Sequence, residues 1–141
     1  MRSLRPLFAL LLACMAGACA AAEIAAQDTK AVRGVIEAQL AAFASDDAEK
    51  AWSYASPGIQ QTFGSAETFI AMVRASYPVV YRPASVAFLA PQRIDGELYQ
   101  GVRMTDAEGR GWLAIYRMQR QGDKSWRIDG CQVVETKGRS I

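Results

Sequence analysis

Between Tyr77 and Pro83 the spacing of apolar residues changes from steps of three and four to steps of two. That is a change from helix period to strand period. Upstream, Val32, Val35, Ile36, Gln39, Leu40 and Phe43 form one stripe of a helix that starts at Asp28, its N-cap. Ser45-Asp46-Asp47 ends it and caps a second helix over residues 48–54, with Ala51, Trp52 and Ala55 inward. Ser56-Pro57-Gly58 breaks that helix, residues 59–63 make a helical turn closed by Gly64, and Ser65 caps a third helix over 66–76. Pro78 and Pro83 exclude a long helix, so residues 77–83 are expected to be extended. Strands are expected at 85–89, 98–105, 111–119 and 125–134, with turns at Asp95-Gly96, Asp106-Ala-Glu-Gly109 and Gln121-Gly-Asp-Lys124. The fold class is α+β: N-terminal helices on a curved antiparallel sheet of about four strands.

The strand alternation predicts a register. With a three-residue loop and a left-handed Gly109, the side chains of Val102, Met104, Trp112, Ala114, Tyr116 and Met118 share one face, joined by Trp126 and Ile128, with Gln100 and Gln132 as polar residues on the same face. Arg103, Leu113, Ile115, Arg117, Arg127, Asp129, Cys131 and Val133 fall on the other face. The first face is the core face. The second is mixed, and Leu113, Ile115 and Val133 are apolar enough to mark an interface, a homodimer through the outer sheet face among the candidates.

Residues 1–22 have the layout of a secretory signal peptide. Arg2 and Arg5 precede an uncharged run from Pro6 to Ala22, and Glu23 is the first acid. The run is shorter than the roughly 20 residues a membrane-spanning helix needs. The expected location is outside the cytoplasm, in a bacterial periplasm. The alternative is a lipoprotein acylated at Cys14 or Cys19, since Leu11-Leu12-Ala13-Cys14 resembles a lipobox. Beyond the leader come a short disordered start at 23–29, one domain over 30–136 and a flexible tail at 137–141.

Removing Arg2 and Arg5 from the 16 Lys plus Arg leaves a charge balanced by the 14 Asp plus Glu. A balanced surface speaks against nucleic-acid binding, which needs excess cations. With Cys14 and Cys19 in the leader, Cys131 stands alone and no intrachain disulfide forms. The chain has no histidine, which removes the usual general base and excludes Cys/His zinc sites. No cofactor is expected.

Several stretches together resemble the bacterial family called domain of unknown function 4864. They are Gln39-Leu-Ala-Ala-Phe43 with Asp46-Asp47, Tyr54-Ala-Ser-Pro-Gly-Ile-Gln60, Phe63-Gly64, Met72-Val-Arg74 with Tyr77-Pro78, Tyr81-Arg-Pro83, Tyr116-Arg-Met118 and Trp126-Arg-Ile-Asp-Gly130. The order of helices before strands also looks like the cone-shaped, cystatin-like fold of nuclear transport factor 2 and SnoaL-like proteins. The resemblance implies a fold and a compartment and carries over no catalytic residue. The Asp–His dyad of the broader superfamily has no counterpart in a chain without histidine.

Other constellations have simple readings. Asp46-Asp47 caps a helix, and the acids at Asp95 and Asp106 belong to turns. Activation of Cys131 as a nucleophile would need Arg103, Arg117 or Arg127 on its face, and the expected reading is a half-buried inert thiol. The aromatic and amide side chains are the candidate binding residues: Tyr54, Tyr77 and Tyr81 from the helical half, with Gln100, Trp112, Tyr116 and Gln132 from the sheet. The function expected is a non-catalytic module that binds a small apolar ligand or a protein partner. The alternative is a cofactor-free SnoaL-like isomerase or hydrolase whose base is a pocket carboxylate or tyrosine.

Overall fold

The first helix, α1 (Ala26–Ala44), turns Val32, Ile36, Gln39, Leu40 and Phe43 inward, the stripe the periodicity predicts. A computed structural model of the chain describes residues 23–137. The expected leader with Cys14 and Cys19, and the tail at 138–141, lie outside the described residues. The helix starts two residues before Asp28, at the expense of the disordered start. Ala25 is an N-cap without a side-chain bond, and the alanines there are strong helix formers. Asp28 sits instead in the first turn, where the helix dipole favours an acid. There it accepts from Trp126 Nε1 at 3.4 Å and pairs with Arg120 at 3.8 Å.

Three short helices follow in the expected order: α2 (Ala48–Ser53), α3 (Pro57–Phe63) and α4 (Ala66–Ser76). Their caps are local. Asp47 accepts from Lys50 N, Ser56 from Ile59 N and Ser65 from Thr68 N, and Gly64 takes the left-handed conformation that closes α3. The segment after α4 corrects an expectation. Instead of being extended throughout, it contains a single helical turn, α5 (Pro78–Tyr81). Proline at the first helical position loses no hydrogen bond, and Tyr77 O accepts from Val80 N and Tyr81 N at 3.0 Å. This turn buries Val79 and Val80.

The sheet is open and antiparallel, with five strands rather than about four: β1 (Ser85–Phe88), β2 (Gln92–Ile94), β3 (Glu97–Thr105), β4 (Gly111–Arg120) and β5 (Trp126–Thr136). Both β1 and β2 pair with β3, at opposite ends of it. They form one edge interrupted at Leu89–Pro91. The Gln100 amide fills the gap, donating to Leu89 O at 2.7 Å and to Gly101 O at 2.9 Å. β2 is only three exposed residues long, too short for a periodicity. The two-residue loop after it, Asp95-Gly96, has both residues at positive φ, as a tight hairpin turn requires.

The β3–β4 hairpin has the predicted register. Gly109 is left-handed, Asp106 N bonds Arg110 O, and Val102 faces Ala114 while Met104 faces Trp112. The β4–β5 pairing does not continue it. The partner of Arg117 is Gly130 and that of Met118 is Ile128, so Asp129 is an extra residue in a β-bulge. A bulge reverses the facing of everything beyond it. Cys131 therefore pairs with Tyr116, and Val133 with Ala114, on the core face. Gln132 and Val134 face outward and are exposed. This corrects the predicted faces of Cys131, Gln132 and Val133.

Candidate functional site: a cavity between the helices and the sheet

The bulge is tied to the helices. Ser56 Oγ donates to Asp129 Oδ1 at 2.6 Å, and Arg117 pairs with Asp129 Oδ2 at 3.0 Å. Ser56 N bonds Ile128 O and Ile128 N bonds Tyr54 O, each at 2.8 Å. The link between α2 and α3 thus extends the sheet past β5 and leaves a gap above its inner face. The gap is a cavity of about 220 Å³. Its deep wall is Phe43, Phe69, Val73 and Val80 from the helices with Tyr116 and Ile128 from the sheet, all buried. Its mouth is half-buried: Ile59 and Phe63 of α3, Met72 of α4, Tyr77, and Cys131 of β5. Gln39 also lines it, with its amide donating to Ala51 O at 3.1 Å.

The lining carries no charged side chain. Its notable polar atom is the Tyr116 hydroxyl. Tyr116 is 1% exposed, and its hydroxyl has no hydrogen-bond partner among the described residues. Burial raises the Tyr116 phenol well above 10, with the neighbouring Cys131 thiol adding to the shift. Burial likewise pushes the Cys131 thiol up to about 12. Both groups are neutral at physiological pH, so neither is a base or a nucleophile there. Buried polar groups are nearly always satisfied, and the orphaned hydroxyl therefore distinguishes this cavity from an ordinary packing defect. Among the described residues no cluster of three or more Cys, Asp or Glu side chains could hold a metal ion.

Of the candidate binding residues, Tyr77 and Tyr116 line the cavity. The others do not. Tyr54 is the C-cap of α2, with its carbonyl bonded to Ile128 N. Tyr81 packs at a tilt against Phe43, donates to Asp46 and has the guanidinium groups of Arg74 and Arg82 over its ring. The Tyr81 bond holds the Asp46 carboxyl below the usual range, with help from both arginines. Gln100 fills the edge gap, and Gln132 faces away. Trp112 belongs to the hairpin turn, where its Nε1 donates to Asp106 Oδ2 at 2.9 Å. Burial alone would raise the Asp106 carboxyl. Bonds from the Trp112 indole, Arg110 N and the Arg110 guanidinium outweigh it and lower the carboxyl to about 2.

The sequence reading missed Phe43, Phe69 and Met72 as cavity residues because a helix-face pattern marks them only as core. It missed Cys131 because it allowed no bulge. An isolated glycine within a strand pattern, here Gly130 after Asp129, is the signal that could have shown it.

On the outer face, Leu113 and Ile115 are half-buried, and no helix among the described residues covers them. Leu89 packs over Gly101 towards Leu113, and Val134 pairs with Leu113 from the other side. Val133, expected there, lies instead with Val79 and Trp112 in a groove on the helical side.

The family model described as Domain of unknown function (DUF4864) matches residues 25–141, and the chain belongs to that family. Neither curated proteins nor solved structures yielded a match. Among the described residues no helix is long and apolar enough to cross a membrane.

Proposed function

We propose that this protein binds a small apolar molecule in the cavity between its helices and sheet, and that it does so without catalysing a reaction. The observation that carries this reading is the buried, unpartnered Tyr116 hydroxyl in a largely apolar wall. A concave apolar site with one oriented polar group is the usual form of a small-molecule pocket. The rival reading needs a carboxylate or tyrosine base. No Asp or Glu lines the cavity, and the Tyr116 phenol holds its proton. The order of helices then antiparallel strands supports membership of the nuclear transport factor 2-like superfamily. The charged, then apolar, then small-residue pattern at 1–22 supports export to the periplasm.

Native mass spectrometry of protein purified from its own extracytoplasmic fraction tests the binding reading. The expected result is a copurified small molecule that is lost in Met72→Trp, which narrows the mouth from a half-buried position. An empty wild-type protein that also takes up no apolar probe would overturn it. N-terminal sequencing of the same material tests export, with a new terminus near Glu23 expected.

A second reading concerns the outer face. The row Leu89, Leu113, Val134 with Ile115 beside it supports pairing with a second copy. Leu89 is 39% and Val134 49% exposed, which is unusual for large apolar side chains placed side by side.

A further inference from the structure

We infer that the molecule held in this cavity is neutral and compact, about one substituted aromatic ring in size, and presents a carbonyl or ether oxygen to the Tyr116 hydroxyl. The inference rests on the binding reading above and adds the chemistry of the ligand. Three observations carry it.

The first is the hydroxyl itself. Among the described residues the Tyr116 hydroxyl has no ordinary hydrogen-bond partner, and its neighbour is the Cys131 thiol, a weak acceptor, so a ligand oxygen placed there exchanges at most a weak sulfur contact for a full hydrogen bond. Gln39 is another polar group of the lining, and one of its two N–H groups is committed to Ala51 O.

The second is charge. An anionic ligand would need a cation, and the nearby arginines are occupied. Arg82 binds Phe43 O and Asp46, Arg74 pairs with Asp46, and Arg117 pairs with Asp129. A cationic ligand fares no better, since those same carboxylates are the ones engaged. A charge entering this cavity would be desolvated without a partner.

The third is size and lining. An apolar cavity of about 150 Å³ holds benzene, so about 220 Å³ takes a ring with a short substituent. Phe69 packs against Phe43 and against Phe63, each with a centroid separation of 6.0 Å, and Met72 adds a deformable sulfur contact. Aromatic edges and a thioether favour a planar ring.

Matched probes separate these points: acetophenone, ethylbenzene and benzoate, titrated at pH 7 into the purified protein while the Gly130 and Cys131 amide signals are followed by NMR. Acetophenone is expected to bind about fivefold more tightly than ethylbenzene, the worth of one neutral hydrogen bond. Benzoate is expected to be weaker than acetophenone by at least about tenfold. In Tyr116→Phe, which deletes only the orphaned atom, the acetophenone advantage disappears and ethylbenzene affinity stays the same. Benzoate matching acetophenone, equal binding of acetophenone and ethylbenzene to the wild type, or an advantage that survives Tyr116→Phe overturns the ligand chemistry while leaving cavity binding intact. Failure of all three probes to bind overturns both.

Discussion

The Ser56 hydroxyl donates to the Asp129 carboxylate at 2.6 Å, joining the start of α3 to the one bulge in the β4–β5 ladder. Ser56 is fully buried and also caps α3, so one oxygen serves two elements far apart in sequence. Ser56→Ala is expected to destabilise the protein by about 1–2 kcal/mol, combining a lost cap with a part-buried carboxylate left short of a donor. Urea denaturation followed by circular dichroism measures it. If the contact is as described, Asp129→Ala costs less in the Ser56→Ala background than it does in the wild type. Fully additive losses would disprove the coupling.

Tyr116→Phe has the opposite expected sign. Deleting a buried hydroxyl that has no partner should raise the stability of the ligand-free protein by about 1 kcal/mol. A clear loss in thermal melting would mean that the hydroxyl has a partner after all.

The Asp106 carboxyl makes the acid side of the stability profile predictable. Its pKa in the folded protein is about 2, below the ordinary value near 3.9. A depressed folded value means that the unfolded chain takes up the proton first as pH falls. The contribution is therefore complete above about pH 4 and is lost progressively as pH drops towards 2. Asp106→Asn should lower the melting temperature at neutral pH and flatten its fall between pH 4 and 2. An unchanged slope would show that the turn carboxylate does not titrate as described.

Cys131 gives an alkaline counterpart. With its thiol pushed up to about 12, it should react with iodoacetamide at pH 8 much more slowly than a free thiol, and at the ordinary rate in urea. The sign on stability follows. The unfolded thiol ionises first, near pH 8.5, so this contribution is intact below that value and is lost as pH rises towards 12. Rapid alkylation of the folded protein would contradict a thiol shielded by the cavity wall.

Paired substitutions Leu113→Asp and Val134→Asp should lower any self-association seen by sedimentation, with the far-ultraviolet spectrum preserved. Unchanged sedimentation removes the second-copy reading. The choice of Val134 over Val133 follows from the bulge.

These elements also show what could be read from the residues alone. The helices around Val32 to Val73 were legible because capping and apolar spacing are local properties, and Ser65 and Gly64 act within a turn of their own positions. The β3–β4 hairpin was legible because Gly109 permits one loop geometry that groups the apolar side chains. The cavity was not legible, because it depends on contacts between distant segments. Asp129 is accommodated only because Ser56 and Arg117 hold its side chain, and that insertion decides whether a thiol or an amide meets Tyr116. Gln100 shows the same limit. Its burial was foreseeable, but its partner, the Leu89 carbonyl, exists only because the edge breaks there.

That break has a consequence for the protein's behaviour in a crowded compartment. A long, regular outermost strand offers incoming chains a template for fibre growth. Here the stretch from Ser85 to Ile94 turns aside at Leu89–Pro91, the proline brings no donor of its own, and the Gln100 side chain already occupies the Leu89 oxygen. A foreign strand approaching this border meets two short segments out of line with each other, and stacking cannot propagate from it.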